Sequence, residues 1–229
     1  MLNALLGFLV LFALTFAGLP LGFSMIAVGV VGFAIYRGLD PALAMASQQA
    51  IDTGMSYGLS VIPLFVLMGA FIFKARLADE LFKAAERWMG GLRGGLAHAS
   101  LGACAGFGAV CGSSLACAAT MTRVAAPEMR RYGYDPAFAG ATLAAGGTLG
   151  ILIPPSVPMV IYGILTETDI GKLFAAGVLP GILLMLLYMG AVHFTSLTAP
   201  AKTGRVAHAS WGERFAAIKG VLPVLALFA

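Results

Sequence analysis

Residues 104–166 read CAGFGAVCGSSLACAATMTRVAAPEMRRYGYDPAFAGATLAAGGTLGILIPPSVPMVIYGILT. The stretch is apolar enough to lie in a membrane, yet it is interrupted by residues that membrane helices seldom cluster. The first interruption is Gly112-Ser113-Ser114, between two apolar limbs. The second is Gly146-Gly147-Thr148, followed by Pro154-Pro155-Ser156. Backbone groups released from helical hydrogen bonds cannot face lipid, so breaks at membrane depth occur inside protein or beside a water-filled cavity. Two breaks in neighbouring segments are the sequence pattern of a transport site.

The rest of the chain agrees with a membrane setting. Of its 229 residues, 60% are hydrophobic and 10% charged, and the mean hydropathy is +0.94. A water-soluble domain carries about 25% charged residues, so the reading is an all-α, polytopic integral membrane protein. The first apolar run continues through Leu19 into a second, which reads as a retained span and not as a cleaved signal. The net charge of +4 reflects topology signals and not nucleic-acid binding. Cys104, Cys111 and Cys117 match no common zinc spacing and read as small packing residues.

Around the quoted stretch, residues 1–73 read as scaffold. Leu2–Leu19, Leu21–Tyr36 and Met55–Phe73 are spans, Pro63 kinks the third or starts its helical core, and Gly38–Thr53 is a more polar segment at a surface or partly re-entrant. Residues 74–93 alternate Leu77, Leu81, Phe82, Ala85 and Trp88 with basic residues, which predicts an amphipathic arm along the membrane interface. Residues 94–132 form a hairpin that enters and leaves by one face, because neither limb is long enough to cross. Residues 133–197 form a broken helix and a following span. A second basic connector, Lys202–Lys219, leads to a short last run, Phe215–Ala229, and the chain reads as a fragment.

The basic segments 74–93, 123–131 and 202–219 hold five, three and four of the fourteen Lys and Arg residues. If they share one side, that side is cytoplasmic, the amino terminus is periplasmic and the hairpin opens from the cytoplasm. At its tip, the second limb presents the positive end of a helix and the first its bare carbonyls. Hydroxyls and carbonyls suit a hard cation. A sodium site between the two breaks is therefore expected, with a substrate carboxylate near the helix amino terminus. Arg123 is a possible anion contact or an interfacial anchor.

The ordered set Gly-Ser-Ser at 112–114, Pro-Glu-Met at 127–129, Gly-Tyr-Asp at 133–135, Ile-Pro-Pro-Ser at 153–156 and Leu-Phe-Ala-Ala-Gly at 173–177 resembles the large membrane subunit (DctM type) of tripartite ATP-independent periplasmic (TRAP) transporters. GLPLGFSM and SYGLSVIPLFVLMGAFI add to the likeness, which covers essentially the whole chain. The resemblance implies the first half of an inverted-repeat elevator transporter, driven by sodium. It would take up an organic acid, such as a C4-dicarboxylate or sialic acid, across the bacterial inner membrane. The implied partners are a periplasmic solute-binding protein and a small membrane subunit. The resemblance assigns sodium to Gly112, Ser113, Ser114, Gly147 and Thr148, and places Ser113, Pro154, Pro155 and Ser156 along the transport path.

Three other functions use the same residues. An ion channel would line a pore with the two breaks, and an assembly subunit would use them only for packing. An intramembrane serine protease needs a base within reach of Ser113 or Ser114, whereas His98 and His193 fall near membrane edges. No enzymatic activity is expected.

Overall fold

The computed structural model describes residues 2–56, 58–199, 203–204 and 209–225. Lys202 and Arg205 of the second basic connector, and residues 226–229 of the last apolar run, lie outside the described residues. All regular structure among the described residues is helical. The chain divides into two compact units, Met1–Ser60 and Val61–Ala229.

In the first unit, α1 (Leu2–Phe16) and α2 (Leu21–Arg37) are joined by the turn at Gly18-Leu19-Pro20. The Asn3 side-chain amide donates to the Tyr36 hydroxyl, which ties the start of α1 to the end of α2. At 15 and 17 residues these helices measure roughly 22 and 25 Å, short of the ~30 Å hydrocarbon core. The polar segment is a third helix, α3 (Leu39–Met55). Its Ala, Leu, Met and Gln content favours a helix, and the Gln48 amide donates to Asp52 one turn on, at 2.9 Å. A 3₁₀ turn at Gly58–Ser60 ends the unit.

The second unit begins with α4 (Val61–Lys74). Pro63 lies in the first turn of α4 and so starts the helix without kinking it. The arm is α5 (Leu77–Met89). The hairpin follows as α6 (Gly95–Cys111) and α7 (Ser114–Arg131). Its limbs run antiparallel: the Cys117 thiol donates to the Cys104 carbonyl at 3.4 Å, and Ser100 reaches Met129 nearer the open end. Limb α6 is buried along nearly its whole length. Its alanines, glycines and cysteines let neighbours approach from every side, as small residues do between membrane helices. Leu96, Leu101, Phe107, Met121, Met129 and Leu143 fill the core around it, and all three cysteines are buried and free.

The Gly-Tyr-Asp motif closes the hairpin's base. Gly133 turns the chain out of α7 with φ +78°, while Tyr134 N–H donates to the Met129 carbonyl at 2.9 Å, a Schellman ending. The Tyr134 hydroxyl then accepts the Leu96 N–H at 3.1 Å, satisfying one of the donors α6 leaves open at its start. Asp135 caps the next helix, α8 (Pro136–Leu152), by accepting the Phe138 N–H at 2.9 Å.

Helix α8 lies across both limbs, followed by α9 (Val157–Leu165) and α10 (Ile170–Thr198). Among the described residues, two stretches are long and apolar enough to cross a membrane, Pro136–Leu165 and Ile170–Thr198. The last helix, α11 (Trp211–Leu225), packs on the arm: Trp88 donates its indole N–H to the Arg214 carbonyl at 3.2 Å and meets Phe215 edge to face. The arm's apolar face, with Ala78, Phe82 and Ala84 buried, packs against the hairpin core, and its end packs on α11.

Candidate functional site

The hairpin tip is built by three consecutive residues. Gly112 ends α6 in the left-handed region, with φ 61° and ψ 15°, where a Cβ is costly. A Cβ there would also lie 3.0 Å from the Pro155 carbonyl oxygen, so glycine is required by conformation and by space. Ser113 is extended and caps α7, its hydroxyl accepting the Ala116 N–H at 3.4 Å. Ser114 begins α7. The positive end of the α7 dipole is therefore directed at the tip.

The break that meets the tip lies at residues 153–156 and not at 146–148, which corrects the expected position of the second break. Gly146, Gly147 and Thr148 lie inside the continuous helix α8. The helix stops at Ile153 because Pro154 and Pro155 have no N–H to offer the carbonyls of Gly150 and Ile151. Chain direction is regained at Val157, whose N–H donates to the Gly112 carbonyl at 3.2 Å. That bond joins the two breaks directly.

The glycines of α8 serve close packing. Added Cβ atoms would lie 2.8 Å from the Cys104 thiol of α6 at Gly146, 2.6 Å from the Ala118 Cβ of α7 at Gly147, and 3.1 Å from the Ser113 carbonyl at Gly150. At Gly108 a Cβ would come within 2.7 Å of the Gly150 Cα. These glycines let α8 lie against both limbs and the tip at backbone distance. Gly108 and Gly150 were not among the expected site residues, although the spacings Gly108-xxx-Gly112 and Gly146-xxx-Gly150 are the small-residue pattern of close helix crossings.

Thr148 projects elsewhere. Its hydroxyl donates to the Ala145 carbonyl at 2.7 Å and meets the Tyr188 hydroxyl of α10 at 3.1 Å. Of the five residues expected around a cation, Gly112, Ser113, Ser114 and Gly147 gather at the tip and Thr148 does not. Ser156, expected on the transport path, is fully buried, and its hydroxyl has no hydrogen-bond partner among the described residues. A buried hydroxyl left unpaired costs on the order of 1–3 kcal/mol. Its presence beside the Gly112–Val157 bond marks a place shaped for a further polar partner.

The donors gathered here are hydroxyls and main-chain carbonyls, hard neutral oxygens that suit a small hard cation. Among the described residues, no histidine serves either tip serine. His98 bonds the Gly94 carbonyl at 3.0 Å and stacks edge to face on His193, and fifteen helical residues, roughly 22 Å, separate it from Ser113. The arrangement lacks the serine–base pair of a protease.

The basic segments meet at the hairpin's open end. Arg87 pairs with Glu213 at 3.4 Å, while Glu86 feels the charges of Glu128 and Arg131. Burial, then Glu128, pushes the Glu86 carboxyl above its ordinary value.

A helical membrane protein whose re-entrant hairpin meets a broken helix tip to tip has the architecture of a secondary carrier. Residues 8–229 match the family model described as the tripartite ATP-independent periplasmic transporter, DctM component, and the chain belongs to that family. Its relatives are transporter subunits and not enzymes. The chain is 45% identical to the C4-dicarboxylate TRAP transporter large permease protein DctM of Pseudomonas aeruginosa, over 63% of this chain and 34% of that one. It is 33% identical to the sialic acid TRAP transporter large permease protein SiaM of Vibrio cholerae, over 94% and 50%. A third relative, the isethionate TRAP transporter permease protein DctMQ of Oleidesulfovibrio alaskensis, is 33% identical over 85% and 30%. The chain thus spans half or less of the length of these relatives.

Proposed function

We propose that the chain is the first repeat of the large membrane subunit of a sodium-coupled TRAP transporter, importing a small organic acid across the bacterial inner membrane. The observation that carries this reading is the meeting of the Gly112–Ser114 tip with the Pro154–Ser156 break around the unpartnered Ser156 hydroxyl. Ser113, Ser114 and Ser156 would hold the ion with nearby main-chain carbonyls, and Gly147 would keep α8 close enough to complete the pocket. A bound cation supplies positive charge that, with the amino end of α7, favours a carboxylate close by. The permease names of the relatives, which include C4-dicarboxylate and sialic acid, support an organic acid as cargo. A periplasmic binding protein would deliver it, and a small membrane subunit would brace the carrier. The fused DctMQ name of one relative supports that last partner. In this reading the clustered basic segments face the cytoplasm and the amino terminus the periplasm.

The test is uptake of labelled acid into proteoliposomes holding the complete transporter and its binding protein. Ser113→Ala and Ser156→Ala are expected to raise the sodium concentration needed for half-maximal uptake at unchanged protein level. An unchanged sodium dependence would reject the site, and ohmic current without the binding protein would show a channel.

A further inference from the structure

Where α4 turns into the arm, a cavity of about 410 Å3 opens beside α7. Lys74, Arg76 and Arg123 line it with Asp79, and none of the three cations forms an ion pair among the described residues. The other basic side chains of this region include Lys83, Arg87 and Arg131, each paired with a glutamate. Three unpaired cations against one carboxylate leave the cavity cationic.

Phe73 and Thr120 line this cavity and also a second one, of about 280 Å3, that reaches the hairpin tip. The second is walled chiefly by Ala70, Phe107, Ala116 and Val157. Ser113, Ala116, Thr120 and Arg123 follow one another at helical spacing, so one face of α7 runs from the apolar chamber to the cationic mouth. The two cavities adjoin at Phe73 and Thr120, one cationic and the other apolar. A small hydrophilic acid would find little to bond in the apolar part, whereas a phospholipid has both halves. The mouth lies at the last turn of α4, beside the exposed Phe71 and Phe73, where an acyl chain can enter from the bilayer. Basic pockets between membrane helices on the positively charged side bind anionic headgroups.

We propose that the Lys74–Arg76–Arg123 mouth is a binding site for the phosphate of an anionic phospholipid, with one acyl chain in the apolar chamber beside the hairpin tip. Ser113 of the proposed sodium pocket lines the chamber's far end, whereas the three cations of the mouth lie outside that pocket, so variants at the mouth test the lipid site separately from sodium binding.

Native mass spectrometry of the chain in detergent, titrated with phosphatidylglycerol or phosphatidylcholine, tests it. The wild type is expected to retain phosphatidylglycerol in preference. A surface cation contributes about a fivefold gain in affinity for an anionic lipid, so Lys74→Gln, Arg76→Gln and Arg123→Gln together should weaken retention by roughly a hundredfold. Asp79→Asn should strengthen it, and a triple variant with Lys74→Arg, Arg76→Lys and Arg123→Lys should keep it, which controls for folding. Phosphatidylglycerol with a photoactivatable acyl chain should label peptides carrying Ala70, Phe107 or Ala116. The proposal is overturned if the neutral triple variant retains the lipid as the wild type does, or if Arg130→Gln with Arg131→Gln weakens it equally. It is also overturned if labelling is absent while inorganic phosphate displaces the headgroup, which would show a simple oxyanion site.

Discussion

Replacing Ser156 by alanine should raise stability in the absence of sodium and lose most or all of that advantage in its presence. The Ser156 hydroxyl is buried without a hydrogen-bond partner among the described residues. In choline chloride, its removal deletes an unpaired polar atom and leaves the backbone N-terminal to α9 as it was, since Ser156 makes no side-chain cap bond. The expected gain is about 1–2 kcal/mol, or roughly 2–4 °C per kcal/mol in Tm for a chain of this size. With sodium at ten times its Kd, the wild type gains about 1.4 kcal/mol from binding, and the variant loses most of that gain. Scanning fluorimetry of the purified chain in detergent, with sodium chloride exchanged for choline chloride at constant ionic strength, reads both effects. A lower Tm for Ser156→Ala in choline chloride would mean that the hydroxyl has a partner after all. An intact sodium shift in the variant would remove Ser156 from the ion pocket.

Three further outcomes follow from the same geometry. Gly112→Ala forces a left-handed residue, at roughly 1–2 kcal/mol, and a 3.0 Å approach to Pro155; a Tm unchanged within a degree would refute the tip geometry. Glu86→Gln tests the raised carboxyl: a group with an elevated folded-state pKa adds stability below its unfolded value, near 4.3, and loses it as pH rises through the folded one. The variant should therefore be more stable than wild type at neutral pH, with a flatter stability profile between pH 4 and 7. Trp88→Ala removes the edge-to-face contact with Phe215 and the bond to Arg214, at a cost of about 1–2 kcal/mol. Hydrogen exchange should then rise in α11 while α6 stays protected; equal loss in both would mean that the arm holds the hairpin.

Much of this architecture can be read in the residues. The hairpin is legible because Gly112-Ser113-Ser114 combines a residue suited to a left-handed helix end with a capping serine, and such end signals are local. The Gly-Tyr-Asp turn is legible for the same reason. The arm's amphipathic spacing was also plain, but spacing states only that a face is apolar, not what covers it. Here the hairpin core covers Ala78 and Phe82, and α11, more than 120 residues later in the chain, meets Trp88. The helical state of Leu39–Met55 was hidden because its polarity spoke only for a surface or partly re-entrant position, whereas its individual residues favour a helix.

The Gly146-Gly147-Thr148 segment shows why a glycine pair and a proline pair differ as breaks. In lipid, an unmade backbone hydrogen bond costs several kcal/mol, more than the ~1 kcal/mol by which glycine disfavours a helix relative to alanine. Glycine keeps its N–H and can continue the ladder, so α8 runs unbroken through the pair and uses the missing side chains to touch α6 and α7. Proline has no N–H, so the bonds that residues 154 and 155 would donate to Gly150 and Ile151 cannot form in any environment. Single prolines are carried inside α7 and α10, but here two successive donors are missing and the helix ends, so the freed oxygens need protein or a ligand around them. The position of the proposed ion pocket is thus set by where donors are chemically absent, and the glycines determine only how near the hairpin tip can come to it.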